Sequence, residues 1–167
     1  LTDSGIKIYF FVGNHDSWMM SYFKDELGID IFFKPKKFQI NSKKFFIGHG
    51  DGLGPGDYGY KFLKLIFRNS FFKFLYSCIH PDISIRIGEF LSRKNSVISG
   101  KEIKFESNEK ELLYNFCKKI LKSDHYHYFV FGHRHIPLKI NLGNNSLYYN
   151  CGDWFNHYSY LDFSNSE

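Results

Sequence analysis

A chain of 167 residues is long enough for one domain with a real core. With 43% hydrophobic and 23% charged residues it is neither disordered nor fibrous, and Lys or Arg interrupts every apolar run before it reaches the length of a membrane span. A net charge of +5 suits an anionic substrate, a phospholipid surface or nucleic acid, while three cysteines with no C-x-x-C pair exclude a cysteine zinc site and a disulfide framework and fit a reducing compartment. The chain has 20 Phe, much Lys and no alanine, a bias that A/T-rich codon use explains, so its Phe content alone says nothing of function.

Leu1 to Gly5 reads as the end of one element and a turn into the next, with no signal-peptide pattern, so the domain is expected to begin before Leu1. The apolar run Ile6 to Val12 predicts a buried strand, and Ser21 to Gly28 a short helix. Phe38 to Ile40 and Lys44 to Ile47 predict two strands around a turn, followed by a glycine-rich loop from Gly48 to Gly59. Three- and four-residue apolar steps predict one helix over Tyr60 to Ile79, which His80-Pro81 ends. A second amphipathic stretch covers Ile83 to Arg93, and Lys94 to Phe105 reads as a linker. Asn108 and Glu111 have the spacing of a capped helix start, and the apolar face then runs to about Lys122. Tyr128 to Phe131, Ile136 to Asn141, Leu147 to Cys151 and Tyr158 to Phe163 predict strands, with Gly143-Asn144-Asn145 as a hairpin turn. The expected class is α/β with a helical insertion.

Three predicted strands each run into a loop holding a histidine: Gly13-Asn14-His15-Asp16, Gly48-His49-Gly50-Asp51 and Gly132-His133-Arg134-His135. Loops at strand ends converge without disturbing a core, which is where α/β proteins collect their chemistry. The glycine that opens each motif, ahead of Asn14, His49 and His133, lets the backbone turn sharply and lets a metal or phosphate come close. Neutral imidazole suits manganese, iron, nickel or zinc, and an amide oxygen such as that of Asn14 suits a harder ion.

These motifs, in this order and each after a strand, resemble the calcineurin-like metallophosphoesterases. The resemblance implies a four-layer αββα sandwich with two divalent metal ions, Mn2+ being the expected ion. It implies that Asn14, His49 and His133 hold one metal and that His135 helps hold the other. His15 would stabilise charge in the transition state, with Asp16 either orienting His15 or capping the turn. The stretch His49 to Tyr60, the Lys61-Phe62-Leu63 that opens the insertion, Ser92-Arg93-Lys94-Asn95-Ser96 and Asn150-Cys151-Gly152-Asp153-Trp154 are similar to the UDP-2,3-diacylglucosamine diphosphatase branch, of lipid A biosynthesis. That branch implies hydrolysis of the pyrophosphate bond of a UDP-linked diacylglucosamine lipid by metal-activated water, giving 2,3-diacylglucosamine 1-phosphate (lipid X) and UMP. Its helical lid would correspond to residues 57–105. It also implies a cytoplasmic, peripheral inner-membrane location.

The family's two earlier motifs, D-x-H and G-D-x-x-D, do not occur in the required place, so the N-terminal strands are expected to be missing and the fragment alone to bind at most one metal and be inactive. In the insertion, Phe62, Phe67, Phe71, Phe72, Phe74 and Leu75 are too many apolar groups for one narrow helix face, which acyl chains or ordinary core packing would each explain. Ser92, Arg93 and Lys94 are candidates for the phosphates or sugar, or else a solvated helix end. Lys64, Arg68 and Lys73 are candidates for an anionic membrane surface, against a solvated face. His80, His125, His127 and His157 sit in no motif, and Asp153-Trp154 is expected near the site. Two readings rival this one: a calcineurin-like phosphoesterase with another substrate, and a non-catalytic remnant. Nucleic acid is not an expected partner, because the charges are spread and the aromatics lie in apolar runs.

Overall fold

The computed structural model describes residues 1–16, 21–56, 58–99 and 107–164, with 91–99 described by backbone alone. The chain divides into two units, Leu1–Gly56 with Phe105–Glu167, and Asp57–Lys104. The first is built from the mixture of strands and helices that the sequence predicts, and the second, among the described residues, from helices.

The first unit carries β1 (Tyr9–Phe11), α1 (Tyr22–Asp25), β2 (Asp30–Phe32), β3 (Lys36–Ile40) and β4 (Lys43–Gly48). The second unit carries α2 (Tyr58–Arg68), α3 (Ser70–Ser77) and α4 (Pro81–Ser99). The chain then returns to the first with α5 (Leu112–Ile120), β5 (Tyr128–Phe131), β6 (Pro137–Gly143) and β7 (Ser146–Cys151).

Five strands form one sheet in the order β3-β4-β5-β7-β6, and β1 and β2 pair in parallel as a second, two-stranded sheet. Period-2 burial explains the large sheet. Phe46 pairs with Phe129, Phe129 with Tyr148, and Tyr148 with Ile140, so one row of large side chains crosses four strands on a single face. Leu113 and Cys117 of α5 close over that face, a helix turn apart. Phe131 is fully buried among Phe46, Phe116 and Tyr148, with ring centroids 6.0 to 6.2 Å apart. On the opposite face Phe163 stacks edge-on to Phe45 at 4.9 Å and meets Tyr128 at 5.7 Å. Tyr9, Phe11 and Phe32 of the small sheet meet Phe38 of β3.

Several expectations change. The predicted helix 60–79 is broken at Asn69, whose extended backbone and side-chain oxygen, accepting from Phe71 N at 2.9 Å, start α3 afresh. Asparagine is among the best residues for that position, and its local hydrogen bond outcompetes one more turn of helix. Helix α4 runs on through Ser99 where a linker was expected from Lys94. Helix α5 begins at Leu112, and Glu111 makes no side-chain cap bond, so the expected capping box does not form. Residues 158–163 are not a strand: Tyr158 has a φ of 48°, outside the extended region, and the segment's aromatics pack without a ladder. Strand β2, only three residues long, had no periodic signal. The hairpin turn stands as expected, with Asn144 and Asn145 at φ 51° and 56° between the paired Gly143 and Ser146, the type I′ geometry that asparagine tolerates.

Candidate active site

Strands β4, β5 and β7 are mutually parallel, so the loops after them leave the same edge of the sheet. His49 follows β4, His133 and His135 follow β5, and Asp153 follows β7. Two bonds tie this edge together. Gly132 N donates to His49 O at 2.9 Å, and the fully buried Asn150 gives its Nδ2 hydrogen to Gly132 O. The loop after β1 reaches the same place, with Val12 N donating to Phe32 O at 2.9 Å and Gly13 lying against the His49 ring.

His49 Nε2 and Asn14 Oδ1 are 3.1 Å apart, and the His49 and His133 ring centroids are 5.4 Å apart at 65°. A Cβ on Gly13 would sit 2.7 Å from His49 Cε1, so only glycine lets the imidazole come this close to the first loop. Gly50, at φ 112°, provides the turn after His49, and a Cβ there would press on Leu113 and Phe131. Burial pushes the His133 imidazole down to about 4, and the neighbouring His49 adds to the shift while Asp51 opposes it. His133 is therefore neutral at pH 7, the form that binds a metal. Two imidazoles and an amide oxygen that meet around a glycine cradle fit the neutral donors of a divalent ion. Among the described residues no three His, Cys, Asp or Glu side chains converge on one point.

His135 stands apart from that trio. Half exposed, it turns its Nδ1 to Asp153 Oδ2 at 3.5 Å. Asp153 is itself anchored. Its Oδ1 accepts from Phe155 N, Asn156 N and His157 N at 3.2, 2.8 and 3.1 Å, and His157 Nδ1 lies 3.4 Å away. The amide of Asn156 does most to hold the Asp153 carboxyl well below the usual carboxylate range, with His157 adding to it against burial. An anionic oxygen on one ring nitrogen leaves the other imidazole nitrogen to face a ligand, the usual backing of a metal-binding histidine. His133 and His135 both have left-handed backbones, at φ 66° and 55°, which a non-glycine residue adopts only when its surroundings hold it there.

The remaining candidates are less gathered. His15 is exposed in the same loop as Asn14. The Asp16 carboxylate accepts from Gly13 N at 3.0 Å and caps the turn that presents Asn14 and His15. Ser92, Arg93 and Lys94 lie on α4, but their side chains are outside the described residues. His125 and His127 sit at the far, entering end of β5, bonded to Asn144 O at 2.9 Å and Lys44 N at 3.0 Å. Sequence reasoning gave no site role to Asp51 or His157, read Glu111 as a helix cap and quoted Asn150 only for the branch resemblance. The G-H-G-D motif carried a signal for Asp51, now buried beside His133. The other three act through residues distant in sequence or through a loop with no motif.

No family model matches the chain. It is similar to curated proteins named UDP-2,3-diacylglucosamine hydrolase. One from Porphyromonas gingivalis is 29% identical over 174 aligned positions, covering 96% of this chain and 66% of the relative. One from Photobacterium profundum is 26% identical with the same coverage of each. One from Pseudomonas putida is 27% identical, covering 92% and 64%. The chain thus spans just under two thirds of the length of the curated relatives it matches. Over the stretch that it shares with them, nearly the whole chain is similar to the UDP-2,3-diacylglucosamine hydrolases.

Proposed function

We propose that the protein containing this chain hydrolyses the pyrophosphate bond of UDP-2,3-diacylglucosamine to 2,3-diacylglucosamine 1-phosphate and UMP in lipid A biosynthesis. The observation that carries the reading is the meeting of Asn14 and His49 at 3.1 Å beside the neutral His133, in a chain whose relatives bear that name. Asn14, His49 and His133 would hold one divalent ion and His135 would contribute to a second, Mn2+ in each case. When bound, such ions supply positive charge against phosphoryl oxygens and a nucleophilic water at neutral pH. Asp153 fixes the tautomer and direction of the His135 ring. Asp16 holds the turn from which the exposed His15 reaches a phosphoryl oxygen, adding a donor where negative charge grows. Gly13 keeps the His49 ring against that loop.

The finer architecture belongs to the same reading: a four-layer αββα sandwich in which residues 57–105 form a helical lid for the acyl chains. In that unit Phe62, Leu65, Phe71, Phe74, Ile85 and Phe90 are each more than half exposed. Exposed apolar groups on this scale are covered by a ligand, a partner or lipid. Lys61 and Lys64 ride over the Tyr58 and Tyr60 rings at 5.5 and 5.9 Å on α2, a basic and aromatic surface suited to anionic headgroups. Among the described residues no helix is long and apolar enough to cross a membrane, and the association proposed is peripheral on the inner membrane's cytoplasmic side. Ser92, Arg93 and Lys94 are the proposed contacts to the substrate's phosphates and sugar.

The test is to incubate the full-length natural protein with UDP-2,3-diacylglucosamine and Mn2+ and follow UMP by mass spectrometry. UMP release that chelator abolishes and Mn2+ restores is the expected result. Turnover of a soluble phosphodiester with none of the lipid nucleotide would overturn the substrate and leave a phosphoesterase of another specificity. Inertness toward both would favour the non-catalytic remnant.

A further inference from the structure

We infer that Glu111 is a positioning residue for the 132–136 loop, holding through Arg134 the conformation that presents His133 and His135. The inference rests on the metal-ligand reading of those two histidines. Glu111 stands at the start of α5, yet its side chain ignores the helix amides beside it. Its carboxylate, with 2% of the side chain exposed, instead accepts from Arg134 Nε at 3.0 Å, across a gap of 23 residues. A carboxylate that deep needs a cation or several donors. Its other oxygen, Oε1, has no hydrogen-bond partner among the described residues, so Arg134 is the group that answers it.

Arg134 is the residue between the two histidines, and both of these have the left-handed backbone that persists only under restraint. Several contacts among the described residues restrain the loop. Gly132 N is held by His49 O, and Gly132 O by Asn150 Nδ2. Both act at the loop's first residue. Asp153 faces His135 at 3.5 Å, and between the histidines Arg134 N donates to Gly132 O at 2.7 Å within the loop, while the Glu111 ion pair ties Arg134 to a helix clamped to the core by Leu113 and Cys117. Burial of Tyr148 raises its phenol pKa, and the Glu111 carboxylate is the next cause, so the same carboxylate also lies near the inner strand β7. The sequence alternates accordingly in this loop: ligand, tether, ligand.

The test compares wild-type full-length protein with Glu111→Gln, Arg134→Gln and the double variant. Backbone amide exchange is read by mass spectrometry, and Co2+ affinity by its visible spectrum. Exchange within 132–136 is expected to rise about tenfold or more in either single variant, and no further in the double, because one tether can be cut only once. Segments 128–131 and 147–150 should keep wild-type protection, which a merely structural loss would not spare. Co2+ should bind about ten- to a hundredfold more weakly. Arg134→Gln strands the buried Glu111 carboxylate, so Glu111→Gln and the double variant, which bury no unpaired charge, report the tether where Arg134→Gln fails to fold. Unchanged loop exchange in Glu111→Gln or in the double variant overturns the inference, as does loosening spread evenly over the sheet, or a loosened loop with unchanged Co2+ affinity. If wild-type protein binds no Co2+, the metal reading of the loop falls, while the exchange comparison still decides the tether.

Discussion

Asp153 Oδ2 lies 3.5 Å from His135 Nδ1, while its Oδ1 takes three successive backbone amides from the turn that follows. One carboxylate therefore folds the loop after β7 and orients a histidine from the loop after β5. Asp153→Asn keeps the size but removes the charge that polarises the ring. Metal affinity is expected to fall about 10- to 100-fold, by the usual weight of such a partner. Titration calorimetry with Mn2+ checks it, and an unchanged affinity would remove Asp153 from the site.

Gly13→Ala tests the approach of the first loop to His49. The added Cβ meets three ring atoms at 2.7 to 3.0 Å, so the ring must move away from Asn14. Expected are a loss of turnover of about tenfold or more and a melting temperature lowered by only a few degrees, because the clash is with a side chain at the sheet's edge. Activity and thermal denaturation of the same preparation distinguish this from unfolding.

Phe131 is wholly buried and touches aromatic rings on β4, α5 and β7. Phe131→Ala should cost about 3–5 kcal/mol, and Phe131→Leu much less, since leucine refills most of the volume. Urea denaturation midpoints at constant slope give both values.

One source of the pH dependence of stability lies at the exposed base of the sheet. Tyr126 OH donates to Asp124 Oδ2 at 2.8 Å and Lys37 Nζ lies 3.1 Å from the same oxygen. The Tyr126 hydroxyl first and Lys37 second lower the Asp124 pKa below its ordinary 3.8. A depressed folded-state pKa means stability that is present above the unfolded value and lost as pH falls through the folded one. Asp124→Asn should therefore be less stable than wild type at pH 7, with the difference closing below about pH 4. Denaturant midpoints from pH 7 to pH 2.5 check the convergence. A gap that stays constant across that range would assign the effect to packing.

The legible parts of this protein were those written in local patterns. Tyr128 to Phe131 is an apolar run of strand length, and Asn144-Asn145 tolerates the left-handed pair that a tight hairpin requires. The same locality exposed the histidine loops, because each motif directly follows its strand. Locality also misled. Tyr158 to Phe163 alternates like a strand but has no neighbouring ladder, and its aromatics cover the sheet from a coil. Asn69 sits inside a helical period, yet one side-chain hydrogen bond ends the helix there.

The strand runs, the helix faces and the order of the three histidine motifs were determined by the sequence alone, because each depends on residues within a few positions of one another. Their convergence is a property of the sheet order β3-β4-β5-β7-β6, which sets loops from distant segments along one edge. Only the tertiary packing decides that Asn14, after the separate β1–β2 pair, meets His49 across 35 residues, that Glu111 answers Arg134 rather than its own helix, and that Asp153 backs His135. Periodicity reports which face of an element is apolar; it carries no term for which other element will lie against it.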